Sequence, residues 1–250
     1  MIKFFRKIRQ NLLSEGKTGT PASQTGRYFK YAIGEIILVV IGILIAIQIN
    51  NWNEERKYRA QEKNLLIGLK EDLQESRQEI ESTITYNDST VSFYKYILIN
   101  FENSEGVTPQ LKKSIGKITN WQIPYLTYST FESLKNKGLD LISNSSLRKN
   151  IIALYDNEFA YLMEDYDRAE WTMSENVSLP LANKYIRTSI SEPYSSVPNN
   201  YETLRHNTEF INMTHRLISL RQKGVKRCNT IVTKIDDIII EIDNEINSIN

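Results

Sequence analysis

From Ile36 to Ile49 the chain runs for fourteen residues without a charge, almost all of them aliphatic, within YAIGEIILVVIGILIAIQINNW at residues 31–52. Those 22 residues would make a helix about 33 Å long at about 1.5 Å per residue, close to the hydrocarbon thickness of a bilayer. Tyr28 and Tyr31 before the run and Trp52 after it stand where amphipathic rings prefer the headgroup level, so they are expected to be its interface anchors. A buried core helix and a cleavable signal peptide are the rival readings. The run ends in AIQINNWNEE, without the small-x-small pattern that a signal peptidase reads, so a retained anchor over 27–52 is expected.

The formal charge of +1 hides a segregation: residues 1–30 carry +6 and the remainder −5. MIKFFRKIRQNLL is short, basic and amphipathic, which suits an anionic inner leaflet and gives a basic amphipathic helix at 1–13. Residues 14–26, rich in Gly, Ser and Thr, read as a flexible linker. The positive-inside rule is divided: 20-residue windows hold three Lys/Arg before the span and five after it. The basic block favours a cytoplasmic N-terminus, an inner-membrane location and a periplasmic domain at 53–250. Its closeness to the span makes lipid headgroups, not nucleic acid, its expected partner.

Two segments resemble a known family. GRYFKYAIGEIILVVIGILIAIQINNWNEERK, Gly26 to Lys57, and TYSTFESLKNKGLDLISNSSLRKNIIALYD, Thr127 to Asp156, resemble the signatures of DUF6090, a family of uncharacterised single-pass membrane proteins from Bacteroidetes. The first match is nearly residue for residue; Arg27 and Ile47 stand where Lys and Leu are common. The resemblance implies a bacterial envelope protein with one span. It implies no activity.

Beyond the span, Asn51 to Phe101 contains no proline and one glycine, Gly68. Leu66, Leu69, Leu73, Ile80, Ile84, Val91, Tyr94 and Leu98 keep mostly to helical steps. At the other end Cys228, Val232, Ile235, Ile239, Ile242, Ile246 and Ile249 alternate steps of four and three, a heptad seam of coiled-coil type. The same register runs back through Val225, Ile218 and Ile211, interrupted by Arg221 and Thr214. The spacing predicts one helix over 201–250, antiparallel to the first. Between them, helices are predicted over 110–121, over 128–137 with Gly138 ending it, and from a Ser145 cap through Trp171, with a bend near Pro180 and a loop at 191–200. No strand is predicted. The expected fold class is all-α: one N-terminal transmembrane helix continuing into an elongated antiparallel helical bundle of about four helices.

Chemistry is sparse. One cysteine and two histidines leave too few soft ligands for a metal site, and no cofactor motif is present. His206 and His215 have no nucleophile or carboxylate in a recognisable arrangement, so no catalytic residue and no enzyme is expected. In the span, Glu35 shares a helix face with Gly42 and Ala46, a small-x-x-x-small contact surface. With Gln48 at the exit, these are the expected membrane-helix packing residues, toward a protein partner or a second copy. The bland alternative for Glu35 is a carboxylate at the headgroup boundary. Nine aromatics (Trp121, Tyr125, Tyr128, Phe131, Tyr155, Phe159, Tyr161, Tyr166 and Trp171) are expected to be core and boundary packing; the alternative is that, with Glu164, Asp165, Asp167 and Glu170 nearby, they line a pocket for a cation or amine. The expected function is a membrane-anchored interaction or scaffold module; the alternative is a ligand-sensing domain that signals through a partner.

Overall fold

The computed structural model describes the backbone of residues 21–189 and 195–249, and the side chains of 32–189 and 195–249. The expected helix at 1–13, most of the 14–26 linker and the side chains of Tyr28 and Tyr31 lie outside the described residues. The class is all-α. The chain divides into two compact units, Met1–Tyr58 and Arg59–Asn250. Helix α1 (Pro21–Asn103) forms because no proline interrupts the chain before Pro109.

In the second unit, α1 ends in a turn that needs left-handed backbone, with Ser104 at φ 56° and Gly106 at φ 78°. Asn100 holds that turn, its Nδ2 donating to the Gly106 carbonyl at 3.1 Å. Thr108 then caps α2 (Pro109–Ile115) by accepting from the Leu111 N–H at 3.0 Å, with Pro109 in the first turn where its missing donor costs nothing. The helix predicted to reach residue 121 stops at Ile115. The carbonyls of Lys117 and Asn120 bond side chains of other helices instead, as described below.

Helix α3 (Ser129–Lys137) ends at Gly138, whose φ of 109° a side chain would oppose. Its own N-cap, Tyr128, supplies no acceptor. The buried Asp72 of α1 does so, accepting from the Thr130 N–H at 2.7 Å and from the Ser129 hydroxyl at 3.0 Å. Asn144, not Ser145, caps α4 (Ser145–Ala153), accepting from the N–H groups of Ser146 and Leu147. The helical path continues through wide π turns at Leu154–Phe159 and Tyr161–Tyr166, then α5 (Asp167–Met173), a third π turn at Ser174–Ser178 and α6 (Leu179–Tyr185). It thus passes both Trp171 and Pro180. A proline ring clashes with the carbonyl four residues back in an α-helix, and the π turn just before Pro180 displaces that carbonyl.

The sequence suggested no strand, yet β1 (Ile186–Thr188) pairs antiparallel with β2 (Ser196–Pro198), Ile186 opposite Pro198. Two such short strands carry no periodic signal, and Pro198 closes the ladder where a missing donor is tolerated. The last helix is also divided. The short α7 (Tyr201–Arg205) stops at His206, and Asn207 caps α8 (Thr208–Ser248) by accepting from the Phe210 N–H at 2.8 Å.

The second half of α1 and α8 are antiparallel, as the two seams predicted. Lys70 Nζ lies 2.6 Å from Asp243 Oδ1 and Arg77 Nε 2.7 Å from Asp236 Oδ1, a step of seven forward on one helix against seven back on the other. The seam of α8 is wider than predicted, because Ile231 and Ile238 are buried beside Cys228, Ile235 and Ile242. A helix packed against both α1 and the 145–185 path must bury two adjoining stripes. Two apolar cores result. One gathers Leu66, Leu69, Leu73, Phe131, Tyr155, Phe159 and Ile235, the other Tyr94, Ile97, Phe101, Leu111, Phe210 and Leu217.

Candidate functional site

Two features stand out from ordinary packing: an apolar helix stretch left unburied among the described residues, and a polar layer sealed between the two cores.

Among the described residues one helix is long and apolar enough to cross a membrane, and its most apolar stretch is wholly unburied. Twelve large aliphatic side chains from Ile33 to Ile49 are exposed, Ile36 by 62%. At about 1.5–3 kcal/mol for each side chain moved out of water, such a surface forgoes on the order of 20 kcal/mol if left wet. Glu35, Gly42, Ala46 and Gln48 are all exposed along it, and a Cβ added at Gly42 would meet nothing. Trp52 is 67% exposed, with the Arg56 guanidinium 6.0 Å from its ring.

The sealed layer is built around Arg221, the residue that interrupts the α8 seam. It is 1% exposed and forms an ion pair with the equally buried Glu170 of α5. Its Nη2 donates to the Asn120 carbonyl at 3.0 Å, and the Tyr94 hydroxyl donates to the Lys117 carbonyl at 2.9 Å, so two helices clamp the turn after α2. Burial alone would lower the Arg221 pKa; the Tyr94 hydroxyl and the Glu170 carboxylate outweigh it and hold the guanidinium above its ordinary value. Burial pushes the Tyr94 and Tyr166 phenols far up, the Glu170 charge adding to both. The phenol end of Tyr166 packs against Gly224, where an added Cβ would overlap it. The void beside Arg221, also lined by Trp121, Ser174, Ser178 and Leu217, has no room for a water molecule. Thr214, the other interruption, is buried too and returns its hydroxyl proton to the Phe210 carbonyl at 2.8 Å.

A sealed ion pair offers no seat for a substrate. What it can do is fix register, since either charge left alone in the interior is strongly disfavoured. The aromatic cluster is likewise packing. Phe131 stacks on Tyr155 at 4.2 Å between ring centres, with Tyr128 and Phe159 edge-on around them. Trp121 meets Trp171 edge to face at 5.0 Å and donates to Asp167 at 3.2 Å. Tyr125 stays 80% exposed, and Arg227 sits 4.6 Å from the centre of the Tyr161 ring. This is the core and boundary packing expected of them, and Glu170, committed to Arg221, is not available to hold a cation there. His206 and His215 are both exposed, His206 beside Glu202 at 3.8 Å. Among the described residues no group of three His, Cys, Asp or Glu could hold a metal ion.

Sequence reasoning missed a row of buried polar residues on α1 that bind the returning chain. Glu62 accepts from the Ser143 N–H, Asp72 from Thr130, Ser76 from the Thr127 N–H, and Asn87 exchanges bonds with the Gln122 backbone. With Asn100 at Gly106, these pins lead residues 106–143 back along α1. Their signal was their helical spacing among the leucines.

Compared with known proteins, the chain matches the model of a family of unknown function, DUF6090, over residues 35–188. No curated protein and no solved structure matches it.

Proposed function

We propose, from the premise that this chain belongs to the DUF6090 family of unknown function, that it is a non-enzymatic, membrane-anchored interaction or scaffold module. The observation that carries the reading is the bare apolar surface from Ile33 to Ile49. A water-soluble monomer rarely leaves so large a contiguous patch uncovered. In this reading residues 27–52 form the single span in the envelope of a member of the Bacteroidetes, with Tyr28, Tyr31 and Trp52 at its interfaces. The basic N-terminal block lies in the cytoplasm and the helical unit in the periplasm.

The absence of a hydrophobic drive between helices in lipid makes close backbone approach the main attraction there. Glu35, Gly42 and Ala46 then form the face that meets another membrane helix, from a partner protein or a second copy, and Gln48 at the exit of the span is a separate polar contact. The test is gentle extraction of the tagged protein from its native membrane, followed by native mass determination and identification of co-purifying proteins. A defined complex that Glu35→Ala or Gly42→Leu disperses supports the reading. Recovery in the soluble fraction overturns the anchor, and a lone monomer overturns the scaffold.

A further inference from the structure

A cleft of about 630 Å³ opens between α8 and the stretch of chain holding α5 and the π turns on either side of it. Arg168 of α5 and Arg216 and Lys223 of α8 line it, together with an apolar wall that includes Met173 and Leu220. Its neighbours on α8 show what is unusual. Arg221 is paired with Glu170, and Arg227 and Lys234 both with Glu158. Among the described residues Arg168, Arg216 and Lys223 have no such partner. None is available along α8, because residues 210–235 contain no acid. Across the cleft Glu170 is committed to Arg221 and Asp167 to Trp121, leaving Asp165 as the one carboxylate in the lining.

We propose that this cleft binds a phosphate monoester with a short apolar substituent. Three cations against one carboxylate leave a local excess of two positive charges, which a phosphomonoester, carrying about −1.5 to −2 near neutral pH, balances. Arginines converging from two helices present planar forks that match phosphate oxygens in pairs. The Met173 and Leu220 side takes the apolar substituent, and the volume falls within the usual range for small-molecule sites, about 300–1,000 Å³. π turns inside helices are frequent at functional sites, and here two of them flank α5 at the cleft.

The inference does not depend on the membrane reading, because its test works on the full chain in neutral detergent. Hexyl phosphate is titrated by calorimetry, with inorganic phosphate and hexanol as probes of the two halves of the ligand. Saturable binding of hexyl phosphate is expected, at least about tenfold tighter than either half. Arg216→Gln and Lys223→Gln should each weaken it about tenfold, the loss expected for a charge-assisted hydrogen bond. Lys95→Gln, on the exposed face of α1, should leave it unchanged. These side chains are exposed, so the variants should melt as the parent does. No saturable heat at millimolar hexyl phosphate, or equal binding by the triple variant lacking all three cations, overturns the proposal. Repeating the titration in phosphatidylcholine nanodiscs with and without phosphatidic acid separates the sources. Competition by phosphatidic acid supports the site with a lipid headgroup as its ligand, and unchanged uptake supports it with a soluble ester.

Discussion

Arg221 occupies a seam position where an aliphatic side chain would be expected, and its charge is answered by a residue on a different helix. Replacing it with Met leaves Glu170 buried without a counter-charge, which should cost about 3–5 kcal/mol. Adding Glu170→Leu to that variant should recover much of the loss, and urea unfolding of the two single variants and the double variant measures the coupling. Gly224→Ala should also destabilise, by about 1–3 kcal/mol, because its methyl overlaps the Tyr166 ring and overpacking outweighs the gain in helix propensity. The same substitution made with Tyr166→Ala should cost little. The Arg221 position was partly legible in the sequence. Arg221 and Thr214 announced themselves as breaks in an otherwise unbroken apolar register, but nothing in the sequence near Arg221 named Glu170, fifty-one residues away, as its partner.

At the scale of elements, the long helices were readable because a periodic stripe repeats its signal over many turns, and α1 and α8 do so. Short elements depend on contacts from elsewhere. Helix α3 has no acceptor at its own start and borrows the Asp72 carboxylate from α1. Asp72→Ala should therefore cost about 1–2 kcal/mol in global stability, the usual loss for an N-cap. It should also speed amide hydrogen exchange at residues 129–134 well before α8 responds. Equal protection throughout would mean that α3 does not depend on this cap. The π turns and the β1–β2 ribbon left no trace in the sequence for the same reason. A wide turn is stabilised by what packs against it, as Tyr128 and Phe131 pack on the Tyr155 and Phe159 rings, and three-residue strands are too short to show alternation.

For the helical unit as a whole, the buried weak acids set how stability depends on pH. Burial raises Tyr94, Tyr155 and Tyr166 well above the ordinary phenol value of 10.0 and pushes the Cys228 thiol up to about 11 from 9.0. Each group favours its neutral form in the folded state. Its stabilisation is therefore complete below the unfolded value and is lost as pH climbs toward the folded one, at about 1.4 kcal/mol per pH unit and group. Urea midpoints should be level up to about pH 9 and fall steeply above about pH 10. The tyrosinate absorbance of these three phenols and alkylation of Cys228 should appear together with unfolding, and alkylation of the native protein near pH 8 would contradict the burial of that thiol. The antiparallel register of α1 and α8 has a mechanical consequence. Continuing it by six residues from the Lys70–Asp243 pair puts residue 249 opposite residue 64. A load applied across residues 59 and 249 thus opens the pair like a zip, breaking its ion pairs one after another. The same load across 59 and 208 must shear all of them at once, so the unit should yield softly to tension through its ends and resist it along its length.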